Sequence, residues 1–232
     1  MKNIKIPLRI LFVFSMLFIF YIATLLAGCA EPVGFPQSFR VYYSDNYSQL
    51  IADANYSGEV KVEGIQVITQ QVSCGYAVIE MLAKWKNKSI SEQSLLSQNN
   101  GKISTSLGSG FLNEMTKQFP EWKIIRCVNL PNTELLRQIY SSVKKGFPVP
   151  IEFAAKNTDG KWTLHFALVN GVDFPNNRIF VLNPYGYEET YTIDNFIKAT
   201  RYECYENMEW YFSAGFHIGL FNKNTMYLLS SK

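Results

Sequence analysis

Three side chains of this sequence, Cys74, His165 and Asn183, have the types and local settings that nucleophilic thiol chemistry needs. A thiol reacts as its thiolate, and the free N–H groups and dipole at a helix N-terminus favour negative charge there. Cys74 opens the stretch CGYAVIEMLAKW, in which Ala77, Val78, Met81, Leu82 and Trp85 recur at helical spacing. The same position offers the Cys74 backbone N–H to an oxyanion forming on an attacked carbonyl, a role usually shared with a side-chain donor just upstream. The sequence has only two histidines, and His165 lies inside the apolar run WTLHFALVNGVD, with a turn and the second run RIFVLNPYG after it. A turn centred near residues 174 to 176 sets His165 across an antiparallel pair from Asn183 or its immediate successors. It also aligns Ala167 with Val181 and Val169 with Ile179. Opposed residues share a face, so an Asn amide there accepts from one imidazole nitrogen and leaves the other to the thiol. His217, in WYFSAGFHIGLF, reads as structural and the aromatics around it as core filling; Cys127 and Cys204 read as packing residues.

Residues 30 to 58 mix Pro32, Gly34, Pro36 and Gly58 with Ser and Tyr, without periodicity, and read as a tether and irregular segment. One compact domain is expected over 59–232. The β-branched run VKVEGIQVIT predicts a strand over 60–69, leading into the Cys74 helix. Ser89 with Glu92 three residues on predicts a capping box and a second helix, running through Leu95 and Leu96 to Asn99-Asn100-Gly101. A third helix is expected over 110–119. Asn132 reads as the N-cap of TELLRQIYSSVKK, which Gly146 stops. The runs FPVPIEFAA, WTLHFALVNGVD and RIFVLNPYG then predict strands, with turn chemistry from Asp173 to Asn177 around Pro175. A short helix over 194–200 and a strand over 225–229 follow. Helices first and an antiparallel sheet second make an α+β fold, the N-terminal helical half packed on the C-terminal sheet.

At 232 residues and 47% hydrophobic, the chain has the apolar content for one well-packed domain. Three of its 22 Lys and Arg, namely Lys2, Lys5 and Arg9, precede the first apolar run, and all 19 Asp and Glu lie from Glu31 onward. The part after Gly28 is thus balanced, which argues against a nucleic-acid partner. The basic start, the apolar stretch from Ile10 to Ala27 and the small residues after it read as an export signal over 1–28. Leu26-Ala27-Gly28-Cys29 resembles the lipobox of bacterial lipoproteins, which implies cleavage before Cys29 and a lipid on its thiol. An uncleaved signal anchor is the alternative, and both place residues 30 to 232 outside the cytoplasm, at the cell membrane. Without Cys29 three cysteines remain, an odd number, so at least one thiol is free or pairs with another molecule. No CxxC or HExxH spacing calls for zinc, and no other cofactor is indicated.

The segments QQVSCGYAVIEML, LHFALVNGVD and VLNPYG resemble the Cys, His and Asp/Asn motifs of the bacteriocin-processing, double-glycine-leader branch of the papain-like cysteine peptidases, over about residues 65 to 190. The resemblance implies a papain-like fold with its active site in a cleft between the two halves. By motif, Cys74 is the nucleophile, His165 the base and Asn183 the third member. Two positions depart from the pattern. That branch commonly has Asp where this chain has Asn183, and its oxyanion glutamine stands six residues before the cysteine, where this chain has Ile68. Gln66, Gln70 and Gln71 lie nearby, and Gln70, at the end of the predicted strand, is the candidate. No G-x-x-x-x-G-K-[ST] motif occurs, so coupling to export of a leader peptide is unsupported. The expected activity is hydrolysis of a peptide or protein substrate through a thioester, by a monomer without cofactor. The alternatives are acyl transfer or amide hydrolysis by the same residues, and a non-catalytic binding lipoprotein with this fold.

Overall fold

The computed structural model describes residues 47–106, 108–157 and 159–232. The predicted signal segment, the lipidation site Cys29 and most of the predicted tether lie outside the described residues. In chain order the elements are α1 (Ser48–Ala52), a 3-10 turn (Ala54–Tyr56), β1 (Val60–Lys61), α2 (Cys74–Trp85), α3 (Glu92–Gln98), α4 (Gly108–Gln118), β2 (Trp122–Cys127), α5 (Asn132–Lys144), β3 (Val149–Lys156) and β4 (Trp162–Asp173). There follow β5 (Arg178–Asn183), β6 (Tyr187–Tyr191), α6 (Ile193–Thr200), a second 3-10 turn (Tyr205–Asn207), α7 (Trp210–His217) and β7 (Thr225–Ser231). The strands form one antiparallel sheet in the order β2-β7-β3-β4-β5-β6, with β1 pairing β4. Helices with an antiparallel sheet make the fold α+β, as the sequence order predicts.

Both faces of the sheet are covered, and the alternation along each central strand assigns residues to faces. Ala167 and Val169 of β4 join Ile151 and Phe153 of β3 and Val181 of β5 in a core closed by Leu135, Ile139 and Val143 of α5 and Phe196 of α6. Their neighbours Phe166, Leu168 and Leu182 point the other way, into a core with Val78, Ile79 and Leu82 of α2 and Phe111 and Met115 of α4. A strand buried on both faces reads as one apolar run, which is why β4 shows little alternation of polarity in the sequence. Leu50 of α1 is buried in the first core, so packed structure extends N-terminally of Val60.

Several local expectations are corrected. The strand predicted over 60–69 pairs only at Val60 and Lys61. After Val62 donates to Asn170 O, the chain turns at Gly64, whose φ of 77° lies in the left-handed region, and leaves the sheet. The cap of α3 is Ser91, in a box with Ser94, while Glu92 is the first helical residue and not the closing member of a Ser89 box. Asn132 is likewise inside α5, after Pro131, and its Oδ1 accepts from Asn224 and Arg201 instead of capping. In the β4–β5 hairpin the register is Leu168↔Leu182 and Val169↔Val181, but Gly171↔Phe180 and Val172↔Ile179 beyond a bulge at Asn170. Val169, not Ala167, therefore opposes Val181. The register carries His165 two residues beyond the position opposite Asn183, as a diagonal neighbour on the same face.

Candidate active site

Helix α2 begins at Cys74 because the residue before it caps it: Ser73 is extended, and its hydroxyl accepts the Tyr76 N–H at 3.2 Å. Such a cap contributes about 1 kcal/mol. The residue after Cys74 must be small, since a Cβ on Gly75 would lie 2.6 Å from Thr105 Oγ1. Thr105 in turn lies 3.3 Å from the Ser73 hydroxyl, so a polar contact and a tight fit fix the helix start together. Cys74 is partly exposed and packs against the α2–α4 core.

The thiol is held beside β4, past the point where the β4–β5 ladder begins at Leu168↔Leu182. There the backbone amides of Phe166, Gly75 and Cys74 itself lie near the sulfur and favour its ionised form. Burial nevertheless outweighs these three amides and pushes the thiol up, with the Glu92 carboxylate acting in the same direction. The helix N-terminus favours negative charge at Cys74, while desolvation of the anion acts against it.

His165 is 3% exposed, and its Nε2 lies 3.0 Å from Asn183 Oδ1. The same oxygen accepts the Tyr185 backbone N–H at 2.9 Å. A backbone N–H is always a donor, so this bond fixes which end of the amide is oxygen. His165 Nε2 must then carry its proton, and Nδ1 presents a lone pair. The ring stacks on Tyr185, with centroids 4.3 Å apart and planes at 23°, and lies 5.7 Å from Phe153. Burial pushes the imidazole down to about 4, against the opposing bond to Asn183. His165 is therefore neutral at neutral pH, in the protonation state a base requires.

Cys74 and His165 line one cavity of about 400 Å³, together with Phe166, Thr105, Arg126 and Glu152. Among the described residues no hydrogen bond joins the thiol to the imidazole, so the two face a shared space as neutral groups. Asn183 lies behind the imidazole and lines a larger cavity of about 840 Å³ that touches neither Cys74 nor His165. Gln70 does not line the thiol cavity; its backbone N–H bonds Pro184 O at 2.7 Å, and its Oε1 is buried without a partner. Gln66 and Gln71 are exposed, and Ile68, at the position where the glutamine was expected, packs into the α2–α4 core. No reading of the sequence placed Tyr185, because Asn-Pro-Tyr-Gly carries ordinary turn chemistry and nothing in its spacing marks a ring over the imidazole. The expectation that the segment around His217 fills a core is corrected on one side: Trp210 is 78% and Ile218 77% exposed, while Phe212 and Phe216 pack inward. Cys127 and Cys204 are free, partly buried thiols packed on the first core and beside Tyr202 and Met208. Among the described residues no group of three His, Cys, Asp or Glu is placed to hold a metal ion, and no helix is long and apolar enough to cross a membrane.

Comparison with known proteins bears on the chain as a whole. No curated protein matches it. Among solved structures, a double glycine motif protease from an AMS/PCAT transporter, in complex with the leader peptide, is 12% identical; the match covers 75% of this chain and 95% of that one at a TM-score of 0.48. The peptidase domain of Streptococcus ComA, a bi-functional ABC transporter involved in a quorum sensing pathway, is 14% identical, over 73% of this chain and 100% of that one, also at 0.48. The model of the Peptidase_C39 like family matches residues 61–211, which include Cys74, His165 and Asn183. Since that match spans well over half of the chain, the protein belongs to the Peptidase_C39 like family and is a cysteine peptidase.

Proposed function

We propose that the protein is an extracytoplasmic peptidase, anchored in the cell membrane through a lipidated Cys29, that hydrolyses peptide bonds with Cys74, His165 and Asn183. The observation that carries this reading is the oriented imidazole: Asn183 Oδ1, fixed by Tyr185, holds the Nε2 proton and leaves Nδ1 with its lone pair, in a residue that lines one cavity with Cys74. In the resting pair both groups are neutral. As the sulfur attacks a peptide carbonyl, its proton passes to His165 Nδ1, and Asn183 stabilises the imidazolium through Nε2. The oxyanion forms near the start of α2, where the Cys74 N–H is available. Gln70 remains the candidate second donor, through its side-chain Nε2, since its backbone is tied to Pro184, next to Asn183. Collapse of the intermediate sends the proton from His165 to the leaving amine and leaves a thioester. His165 then deprotonates a water molecule, which attacks the thioester and restores the thiol.

The substrate is read as a peptide or protein, in keeping with the leader peptide bound to the transporter protease. The test uses the full chain in detergent micelles, a random library of quenched fluorescent peptides and mass spectrometry of products. Cleavage that disappears in Cys74→Ala and His165→Ala is the expected result, and undiminished cleavage by either variant refutes the assignment. The mature N-terminus, read by mass spectrometry, is expected to be a lipid-modified Cys29; an intact Met1 refutes cleavage at the lipobox.

A further inference from the structure

Between β1 and α2 the chain has no ladder to hold it, yet it must deliver Cys74 to the edge of β4 in one orientation. The N–H groups of Gln71, Val72 and Ser73 meet a single side chain. Glu92, the first residue of α3, accepts from Gln71 at 2.8 Å through Oε1, and from Val72 at 2.8 Å and Ser73 at 2.9 Å through Oε2. Consecutive N–H groups converging on one anion form a nest, and each bond to a carboxylate is about twice as strong as a neutral one. Glu92 is 2% exposed and, among the described residues, forms no ion pair with Lys, Arg or His. Its own N–H donates to Glu80 Oε2 at 2.8 Å, and Glu80 is paired to Lys84 at 2.9 Å. A carboxylate buried without a cation is a costly choice where stability alone is at stake.

We infer that Glu92 is a positioning residue of the proposed reaction: by gripping three successive backbone N–H groups, it sets the turn that presents the Cys74 sulfur and N–H to the substrate carbonyl. The inference rests on Cys74 being the nucleophile. The Glu92 charge acts against ionisation of the thiol, so its placement helps geometry at the expense of thiolate. Loss of the charge and loss of the grip therefore act in opposite directions, and a fall in turnover per folded molecule despite an easier thiol ionisation is what a purely structural carboxylate would not produce. The other groups facing the thiol are His165 on β4, Tyr185 after β5, Tyr202 after α6, and the Arg126–Glu152 ion pair across the cavity. His165 is neutral at alkaline pH, and burial holds both tyrosines neutral well past the range of a thiol.

The experiment measures two quantities on the full chain in micelles: turnover of the best-cleaved library peptide, and the pH midpoint of iodoacetamide labelling at Cys74, resolved from the other cysteines by peptide mass spectrometry. Glu92→Gln puts a donor where an acceptor stood. Its expected result is a fall in kcat of about 100-fold per folded molecule, with the labelling midpoint moved to lower pH. Glu92→Asp keeps the charge on a shorter arm and is expected to lose turnover without that downward movement. Glu80→Gln, which removes support behind Glu92 without touching residues 71 to 73, is expected to lower Tm while turnover stays within about 3-fold. Turnover of Glu92→Gln within about 3-fold of the parent, or a loss that Glu80→Gln matches, overturns the inference. If Glu92→Gln does not fold, Glu92→Asp decides by the same threshold on turnover. Cys74→Ala that still cleaves would sink the nucleophile reading and this inference with it; inactive Cys74→Ala with active Glu92 variants sinks this inference alone.

Discussion

Cys74 and His165 reach one cavity from two regions that meet the same physical difficulty differently. The thiol comes from the end of a helix, and the groups that favour its ionisation are backbone, the amides of Phe166, Gly75 and Cys74 itself. The imidazole comes from the middle of a sheet and is held by side chains, with one amide oxygen on Nε2 and the Tyr185 ring on its face. Burial dominates in both, raising the thiol and lowering the imidazole to about 4. A helix N-terminus therefore does not guarantee a thiolate, because its partial charge is modest beside the cost of taking an anion out of water. Charge separation belongs to the encounter with substrate, and the two regions differ in what they hold ready for it: the helix holds donors, and the sheet holds a lone pair.

The largest expected effect removes one side outright. His165→Ala should lower kcat/KM by about 1,000-fold or more at pH 7. It should regain part of that loss as pH rises toward the thiol's own ionisation, measured with the library peptide; a flat deficit from pH 7 to 10 would break the assignment of His165 as base. Asn183→Ala removes the anchor of Nε2 and should cost about 10-fold to 100-fold, because the ring loses its tautomer and its aim. Asn183→Asp should instead favour the imidazolium and move the acid limb of the pH profile upward; an unmoved limb would mean that Asn183 does not govern the imidazole.

The contrast also shows in stability. An unfolded His165 binds its proton near 6.5 and the folded one only near 4. Between those values the unfolded chain holds more protons, so stability falls as pH drops from 6.5 to 4, by about 3 kcal/mol for this residue, and the contribution vanishes above 6.5. Urea titrations at pH 7 and pH 4.5 should show a smaller decline for His165→Gln than for the parent. The smallest effect is expected from Tyr185→Leu, which keeps the backbone bond to Asn183 and removes only the stacked ring. A fall of about 3-fold to 10-fold in kcat, of the order of the stacking energy, is the expected outcome.

The parts of the site governed by local rules were legible in the sequence. Helix α2 has its apolar spacing and a serine cap, and the hairpin bearing His165 and Asn183 has two β-rich runs around a proline turn. Parts set by distant contacts were not. Glu92 looked like the end of a capping box because three-residue spacing is all that a sequence displays; its carboxylate is claimed by residues 71 to 73, about twenty positions away. Tyr185 follows the same logic, since its ring is placed by β4. Helix α7 was missed for another reason: WYFSAGFH has no polar face to mark a period, and its Trp210 and the Ile218 that follows it are exposed regardless. The strand over 60–69 was over-read because β-branched residues favour extended chain whether or not a partner strand is present.

The bulge at Asn170 has a consequence for the hairpin as a whole. From the turn, the ladder starts with Asp173 against Arg178. Continued without interruption, that count would bring Leu168 opposite Asn183 and turn the His165 ring out through the far side of the sheet. One surplus residue exchanges odd for even, so the imidazole and the amide meet by arithmetic as much as by affinity.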